Sequence, residues 1–315
     1  MPFISVIVPN FNHADFLDQR IQSVLNQTYQ NFELILLDDS STDNSKEILS
    51  NFKNHPKVSH FEINEMNSGS PFNQWGKGIE LAKGEFIWIA ESDDYCSNNF
   101  LETAVNEHRN NPDCGMIYVK TNYIDPHNNV LPPDDYQINL NNLFQASGRF
   151  SGKDYIEEYL IKKNTILNAS SLIFNKALFL KSGGFDSKLK YCGDYYLYFK
   201  MLHYTNIYYI NEALNFRRQH NNSHTSSLQG EWLDELIEIR IAFRSFFKAN
   251  KISSKGSVNQ NEILLKELYG SKSISLAKKR KIFKAFQTLL KVSPKHFFEY
   301  LKHDLYWIKK GEYDK

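Results

Sequence analysis

The chain has 315 residues, 41% of them apolar and 23% charged. That is ordinary globular composition, long enough for one large core or two smaller ones, and it excludes a disordered polymer. The formal net charge of +1 offers no global attraction to nucleic acid, and no run of about 18 apolar residues is present to span a membrane.

Ile4 to Val8 is a continuous apolar run rich in β-branched residues, which predicts a strand covered on both faces. No basic segment precedes it, so the N-terminus reads as this strand rather than as a signal peptide. After Pro9-Asn10-Phe11-Asn12, residues Phe16, Leu17, Ile21, Val24 and Leu25 recur at helical spacing. Phe32 to Leu37 predicts a second buried strand. It ends in Asp38-Asp39-Ser40-Ser41-Thr42-Asp43, whose hydroxyls and carboxylates can cap a helix through Ile48, Leu49 and Phe52. A third strand is expected at Val58 to Ile63, then a helix near Gln74 to Ala82 that stops at Lys83-Gly84. A strand at Phe86 to Ala90, a helix at Phe100 to Arg109 and a strand at Gly115 to Thr121 follow. This order implies a doubly wound, mostly parallel sheet flanked by helices, in which ligands bind beyond the carboxyl ends of the strands.

Asn122 to Gly152, rich in Asn, Asp and Pro, is expected to form loops over that crevice. A strand at Ala169 to Phe174, a helix at Asp194 to His203 and a short strand at Ile207 to Ile210 come next. Residues 226–315 then read as a helical C-terminal region. From Ser271 to Lys315 there are 12 Lys and Arg against 4 Asp and Glu, which leaves an acidic body with a basic tail. Its apolar stripes, Ile282, Phe283, Phe286, Leu289 and Leu290, then Phe297, Phe298, Leu301, Leu305 and Ile308, admit several uses. They can pack on the catalytic domain, meet anionic lipid at a membrane surface, or form an oligomer contact. Three scattered cysteines, Cys96, Cys114 and Cys192, suit buried reduced thiols of a cytoplasmic protein rather than a disulfide framework.

Chemistry concentrates at the strand ends. Glu91-Ser92-Asp93-Asp94 packs three carboxylates into one turn, which costs electrostatic energy unless a cation neutralises them. Few, hard oxygen ligands suit Mg²⁺ or Mn²⁺, and such an ion would bridge a diphosphate. A capping turn before the Phe100 helix is the competing reading. Asp38 and Asp39 either cap the next helix or present a carboxylate to the ring N–H of a base, for which Phe11 would supply a stacking face. No G-x-G-x-x-G follows the first strand and no G-x-x-x-x-G-K-[ST] occurs, which counts against dinucleotide-dependent oxidoreductases and P-loop NTPases.

Ser5-Val6-Ile7-Val8-Pro9-Asn10-Phe11-Asn12, Ser23-Val24-Leu25-Asn26-Gln27-Thr28-Tyr29, Phe32-Glu33-Leu34-Ile35 and Asp38-Asp39-Ser40-Ser41-Thr42-Asp43 together resemble family-2 glycosyltransferases. The likeness runs through Gly78 to Ile87 into Glu91-Ser92-Asp93-Asp94, the family's D-x-D region, and on to Gly183-Gly184-Phe185-Asp186 and Gly193-Asp194. It implies a GT-A fold over residues 1–225, a nucleotide-sugar donor (commonly a UDP-sugar), a Mn²⁺ or Mg²⁺ ion and inversion at the anomeric carbon. By position it implies that Phe11 stacks on the base, Asp39 accepts its ring N–H and Pro9 lines that pocket. Glu91 and Ser92 would approach the ribose and diphosphate, and Asp93 would bind the metal. Asp194 would be the general base. An R-x-H-like element at Arg217, Arg218 and His220 would add a diphosphate contact, through Arg218, and a metal ligand, His220. By analogy the acceptor would be a surface glycan or lipid-linked glycan.

Three departures stand out. Glu91 replaces the usual first Asp, Gly193 replaces the Glu or Gln that normally precedes the base, and Asn67 to Trp75 lacks an Arg near the phosphates. Two alternatives stand beside the enzyme. One is a non-catalytic nucleotide-sugar-binding partner protein whose base is lost or displaced. The other is a sugar nucleotidyltransferase, which uses a similar fold and a metal but which the Gly193-Asp194 region argues against.

Overall fold

A computed structural model describes residues 3–220 and, beyond them, only the helical positions Glu235, Leu236, Ile239 and Phe243. The boundary expected at residue 225 and the basic helical tail lie outside the described residues. The chain divides into two compact units, Met1–Leu160 with Asn164–Leu228, and Ile161–Lys163 with Gln229–Lys315. In the second, Leu236, Ile239 and Phe243 are buried. Among the described residues, no helix is long and apolar enough to cross a membrane.

The first unit is a mixed α/β layer structure. Strands β1 (Ile4–Asn10), β2 (Phe32–Asp38), β3 (Val58–Ile63) and β4 (Phe86–Ile89) are parallel, in the spatial order β3-β2-β1-β4. Helices α1 (Ala14–Leu25), α2 (Ser45–Phe52) and α3 (Pro71–Leu81) form the crossovers. Every residue of β1 and β2 is buried, as expected for strands covered on both faces. Ile4, Val6 and Val8 join Leu17, Ile21, Leu49, Trp88 and Phe100 in one core, while Ile7 faces Gly78 of α3 on the other side.

Beyond β4 the sheet turns antiparallel. The short β5 (Tyr95–Cys96) leads to α4 (Phe100–Asn110) and β6 (Cys114–Ile124), followed by α5 (Asp135–Leu143), β7 (Gly148–Phe150) and α6 (Gly152–Tyr155). Then come β8 (Leu172–Asn175), α7 (Lys176–Lys181), α8 (Gly193–Leu202) and β9 (Asn206–Arg218). The order continues β4-β8-β6-β9-β5, with β8 antiparallel to both neighbours and β9 parallel to β6. None of the three cysteines forms a disulfide.

The first four strands and the helices α1 to α4 stand where the apolar spacing puts them. Three expectations change. The strand expected at Ala169 to Phe174 begins only at Leu172, after a single helical turn at Ala169–Ser171. Asn122 to Gly152 is not loop throughout, since it contains α5 and β7. The short strand expected at Ile207 to Ile210 is 13 residues long and runs through to Arg218. Its second half, Asn-Glu-Ala-Leu-Asn-Phe-Arg-Arg, has no strand-like apolar alternation; pairing with β6 holds it extended. Tertiary contact overrides local preference there.

Where α3 gives way to β4, Gly84 N donates to Ser5 Oγ at 2.7 Å, and Ser5 Oγ donates to buried Glu33 at 2.5 Å. A Cβ on Gly84 would stand 2.5 Å from the Ser5 backbone nitrogen. Gly84→Ala should therefore force α3 and β1 apart and lower stability by roughly 1–3 kcal/mol, read as a lower urea midpoint with unchanged m.

Candidate active site

The parallel register sets Asn10 beside Asp38 and Ile7 beside Ile89, so the ends of β1, β2 and β4 open into one cleft of about 420 Å³. Pro9, Phe11, Asp39, Glu91, Ser92, Asp93, Asp194 and Arg218 all line it. His220 stands behind Asp93, its Nε2 3.1 Å from Asp93 Oδ2. Residues drawn from five stretches of sequence thus meet in one place.

The two carboxylates after β2 do different work. Asp38 turns inward, accepting from Asn10 Nδ2 at 2.8 Å and from the backbone N and hydroxyl of Ser41. Asp39 Oδ1 accepts from Asn64 Nδ2, Ser68 N and Gln74 Nε2, while among the described residues Oδ2 accepts only from Ser68 Oγ at 2.8 Å. Oδ2 therefore keeps acceptor capacity. Neither caps α2, whose first turn follows Asn44. The segment Asn67 to Trp75 wraps Asp39, and Phe11 is 45% exposed at the mouth of the cleft.

The turn after β4 is equally divided. Asp94 is buried and accepts from Arg218 N at 3.0 Å and from Asn168 Nδ2, with Arg20 4.0 Å away. Burial, then the adjacent Asp93, raises its carboxyl to about 6. Burial also opposes ionisation of Asp93, but the hydrogen bond from His220 and the nearness of His13 outweigh it and hold that carboxylate at about 2. Glu91 has its carboxyl pushed well up, by burial first and then by Asp93 and Asp94. The capping alternative fails for this turn, because α4 begins after Asn99 and takes no cap from either aspartate.

Those groups fit a divalent cation. Ligand atoms of Glu91, Asp93 and Asp94 lie within 4.8 Å of one another, and so do those of His13, Asp93 and His220. A cation is what such crowded carboxylates lack, and imidazole nitrogens are suitable further donors. His13 is the residue that sequence reasoning missed. It lies one position past Phe11-Asn12, where the only signal was its place after a strand end. Its Nδ1 is 2.9 Å from Ser92 Oγ, so the Ser92 hydroxyl, expected at the ribose and diphosphate, is engaged with a protein partner.

Asp194 opens α8, its Oδ1 accepting from Tyr195 N at 2.7 Å. Burial raises its carboxyl to about 6 despite that bond and the nearby Arg217. The departure at Gly193 has a steric cause: a Cβ there would sit 2.7 Å from Phe72 Cε2. Phe72 belongs to an aromatic wall, its ring centroid 5.2 Å from Trp75 and 5.3 Å from Phe185. Beside it, Ser70 Oγ, Gln74 Oε1 and Trp75 Nε1 are buried at the cleft without a protein partner among the described residues. Buried polar groups of that kind await water or a ligand.

Arg218 is not available to a diphosphate as expected. Its Nε donates to Asp93 O at 2.9 Å, Nη1 to Asp125 O at 2.9 Å, and Nη2 to Gln19 Oε1 and Asn128 Oδ1. Protein oxygens thus take up most of its five N–H donors, and Phe16 lies 4.5 Å beneath the guanidinium. Arg217, its neighbour on β9, lines the same cleft near Glu91, Asp93 and Asp94. Arg218→Ala should strip four hydrogen bonds from partly buried acceptors, at about 0.5–1.5 kcal/mol each, lowering the melting temperature even without ligand; an unchanged melting temperature would contradict the clamp.

Comparison with known proteins agrees with this geometry. The model of glycosyl transferase family 2 matches residues 5–170, more than half of the chain. An uncharacterized glycosyltransferase of Rickettsia typhi is 29% identical over 266 residues, covering 82% of this chain and 77% of that one. Glycosyltransferase GlyG of Streptococcus pneumoniae is 45% identical over 103 residues, 32% of this chain and 33% of GlyG. Among solved structures, residues 1–349 of TarS from S. aureus, in complex with UDP-GlcNAc, superpose with a TM-score of 0.71. That match has 18% identity and covers 99% of this chain and 88% of the other; it shows a shared GT-A fold. With family model, relatives and fold in agreement, the chain belongs to glycosyl transferase family 2 and is a glycosyl transfer enzyme.

Proposed function

We propose that the chain is an inverting, divalent-metal-dependent glycosyltransferase. It moves a sugar from a nucleotide-diphosphate donor, a UDP-sugar, to a hydroxyl of a surface-glycan or lipid-linked glycan acceptor. The observation that carries this reading is the meeting, in one cleft, of the Asp93 turn, the Asp39 carboxylate and Asp194. The uridine assignment draws on the UDP-GlcNAc held by TarS and on the half-open acceptor of Asp39, which suits a ring N–H. Phe11 supplies the stacking face and Pro9 lines the pocket.

Asp93 and His220 would hold the ion, Mn²⁺ or Mg²⁺, with Glu91 at its side. When bound, that ion neutralises the diphosphate and eases its departure. Arg217, rather than Arg218, faces the diphosphate with its charge. Asp194 accepts the proton of the acceptor hydroxyl as that oxygen bonds to the anomeric carbon. The bond from that carbon to the diphosphate oxygen breaks on the opposite face, which inverts the configuration.

Donor hydrolysis tests the reading. Release of nucleoside diphosphate from a UDP-sugar should require Mn²⁺ or Mg²⁺ and vanish in Asp93→Ala. A larger thermal shift with GDP-sugars than with UDP-sugars would refute the role of Asp39.

Asp194 adds a pH signature. Its base form predominates above about pH 6, so kcat/KM should rise with pH through that value. A carboxyl raised on folding costs stability above its folded pKa and none well below its unfolded value of about 4. Asp194→Asn should therefore melt higher than the parent at pH 8 and no higher at about pH 2.5, while turnover falls by roughly 10²–10⁴-fold. A variant that keeps its turnover would remove Asp194 from the reaction.

A further inference from the structure

The metal reading above leaves open which residues complete the ion's shell, and the two ligand triads around Asp93 make different demands. Asp94 is poorly placed to serve. Both of its oxygens are already engaged, Oδ1 by Arg218 N and Oδ2 by Asn168 Nδ2, with Arg20 4.0 Å from Oδ2. Withdrawing it would release β9 from the turn. The other triad carries no such cost. His13, Asp93 and His220 have ligand atoms within 4.8 Å of one another, and both rings are held in place. His13 Nδ1 is 2.9 Å from Ser92 Oγ, which leaves Nε2 as the nitrogen open to an ion. His220 packs edge-on against His13 at 5.4 Å and against the tilted ring of Phe16 at 5.1 Å. An outer hydrogen bond fixing an imidazole and an apolar ring behind it are the supports that metal-ligating histidines use.

We propose that His13 is a metal ligand together with His220 and Asp93. The site is then a two-imidazole, one-carboxylate set that takes a first-row transition ion such as Mn²⁺, Co²⁺, Fe²⁺ or Zn²⁺ in preference to Mg²⁺. Imidazole nitrogen favours those ions, whereas Mg²⁺ prefers oxygen and gives up its waters reluctantly. The inference rests on the metal dependence proposed above and sharpens it. In place of an oxygen-only turn, the ion sits between β1, β4 and β9, so the loop after the first strand becomes part of the metal site.

The full chain, stripped of metal with EDTA and returned to buffer without donor, is titrated calorimetrically with CoCl₂, MnCl₂ and MgCl₂. The Co²⁺ visible spectrum is recorded in parallel. Co²⁺ and Mn²⁺ should bind at least roughly tenfold more tightly than Mg²⁺, and His13→Ala should weaken Co²⁺ by about 10–100-fold and change its visible bands. His13→Asn, which keeps a donor toward Ser92, should show the same loss with an unaltered melting temperature. Mg²⁺ binding as tight as Co²⁺, or a Co²⁺ affinity and spectrum indifferent to both His13 variants, would overturn the proposal. If Co²⁺ binding needs Asp93 but not His13, only this inference falls. Donor hydrolysis that persists in EDTA removes the metal reading itself.

Discussion

Strand β9 and the acidic turn after β4 hold each other. Asp94 accepts from the backbone N of Arg218, and the Arg218 side chain returns a hydrogen bond to the carbonyl of Asp93. Around that exchange stand Arg20, Asn168, Asp125 and Asn128, all bonded to the same few atoms or to their neighbours. Taking a carboxylate out of water costs several kcal/mol unless hydrogen bonds and opposite charge answer it. Here hydrogen bonds from Arg218 N and Asn168 offset part of that cost for Asp94, whose carboxyl burial still raises to about 6, while Asp93 stands at the cleft. The paired aspartates are not redundant: Asp94 carries the architecture, and Asp93 is the one the proposed metal would use.

The same division recurs after β2. Asp38 folds its own turn through Ser41 and Asn10, whereas Asp39 is presented to the cleft on a scaffold of Asn64, Ser68 and Gln74. A parallel sheet makes this economical. Its strands all end on one edge, and the residue just past each strand meets its counterparts without any long loop. Held in this way, the polar groups need little reordering when a charged ligand arrives, which is how a preorganised site favours charge developing in a reaction.

The departures from the usual family pattern also make sense together. Phe72 fills the space that a side chain at position 193 would need, and its segment wraps Asp39 instead of sending an Arg toward the phosphates. Arg217 of β9 lines the same cleft and brings positive charge near Glu91, Asp93 and Asp94.

Much of this was legible in the residues alone. Apolar period and β-branching placed β1 to β4 and α1 to α4, because those strands are buried on both faces and those helices on one, and burial leaves its mark in sequence. The strand-end clusters Asp38-Asp39 and Glu91 to Asp94 were visible for the same reason, standing where an apolar run stops. Composition and spacing did not separate the aspartates of each pair; only the family resemblance singled out Asp39 and Asp93. Adjacent residues carry identical chemistry, and only the partners contributed by distant segments separate them. Nor could spacing reveal that Arg218 is a clamp, since β9 is held extended by β6 rather than by its own preference, or that His13 stands beside His220. Such proximity is a property of the packed sheet: residues more than 200 positions apart in the chain share one cleft because parallel strands deliver their ends to the same edge.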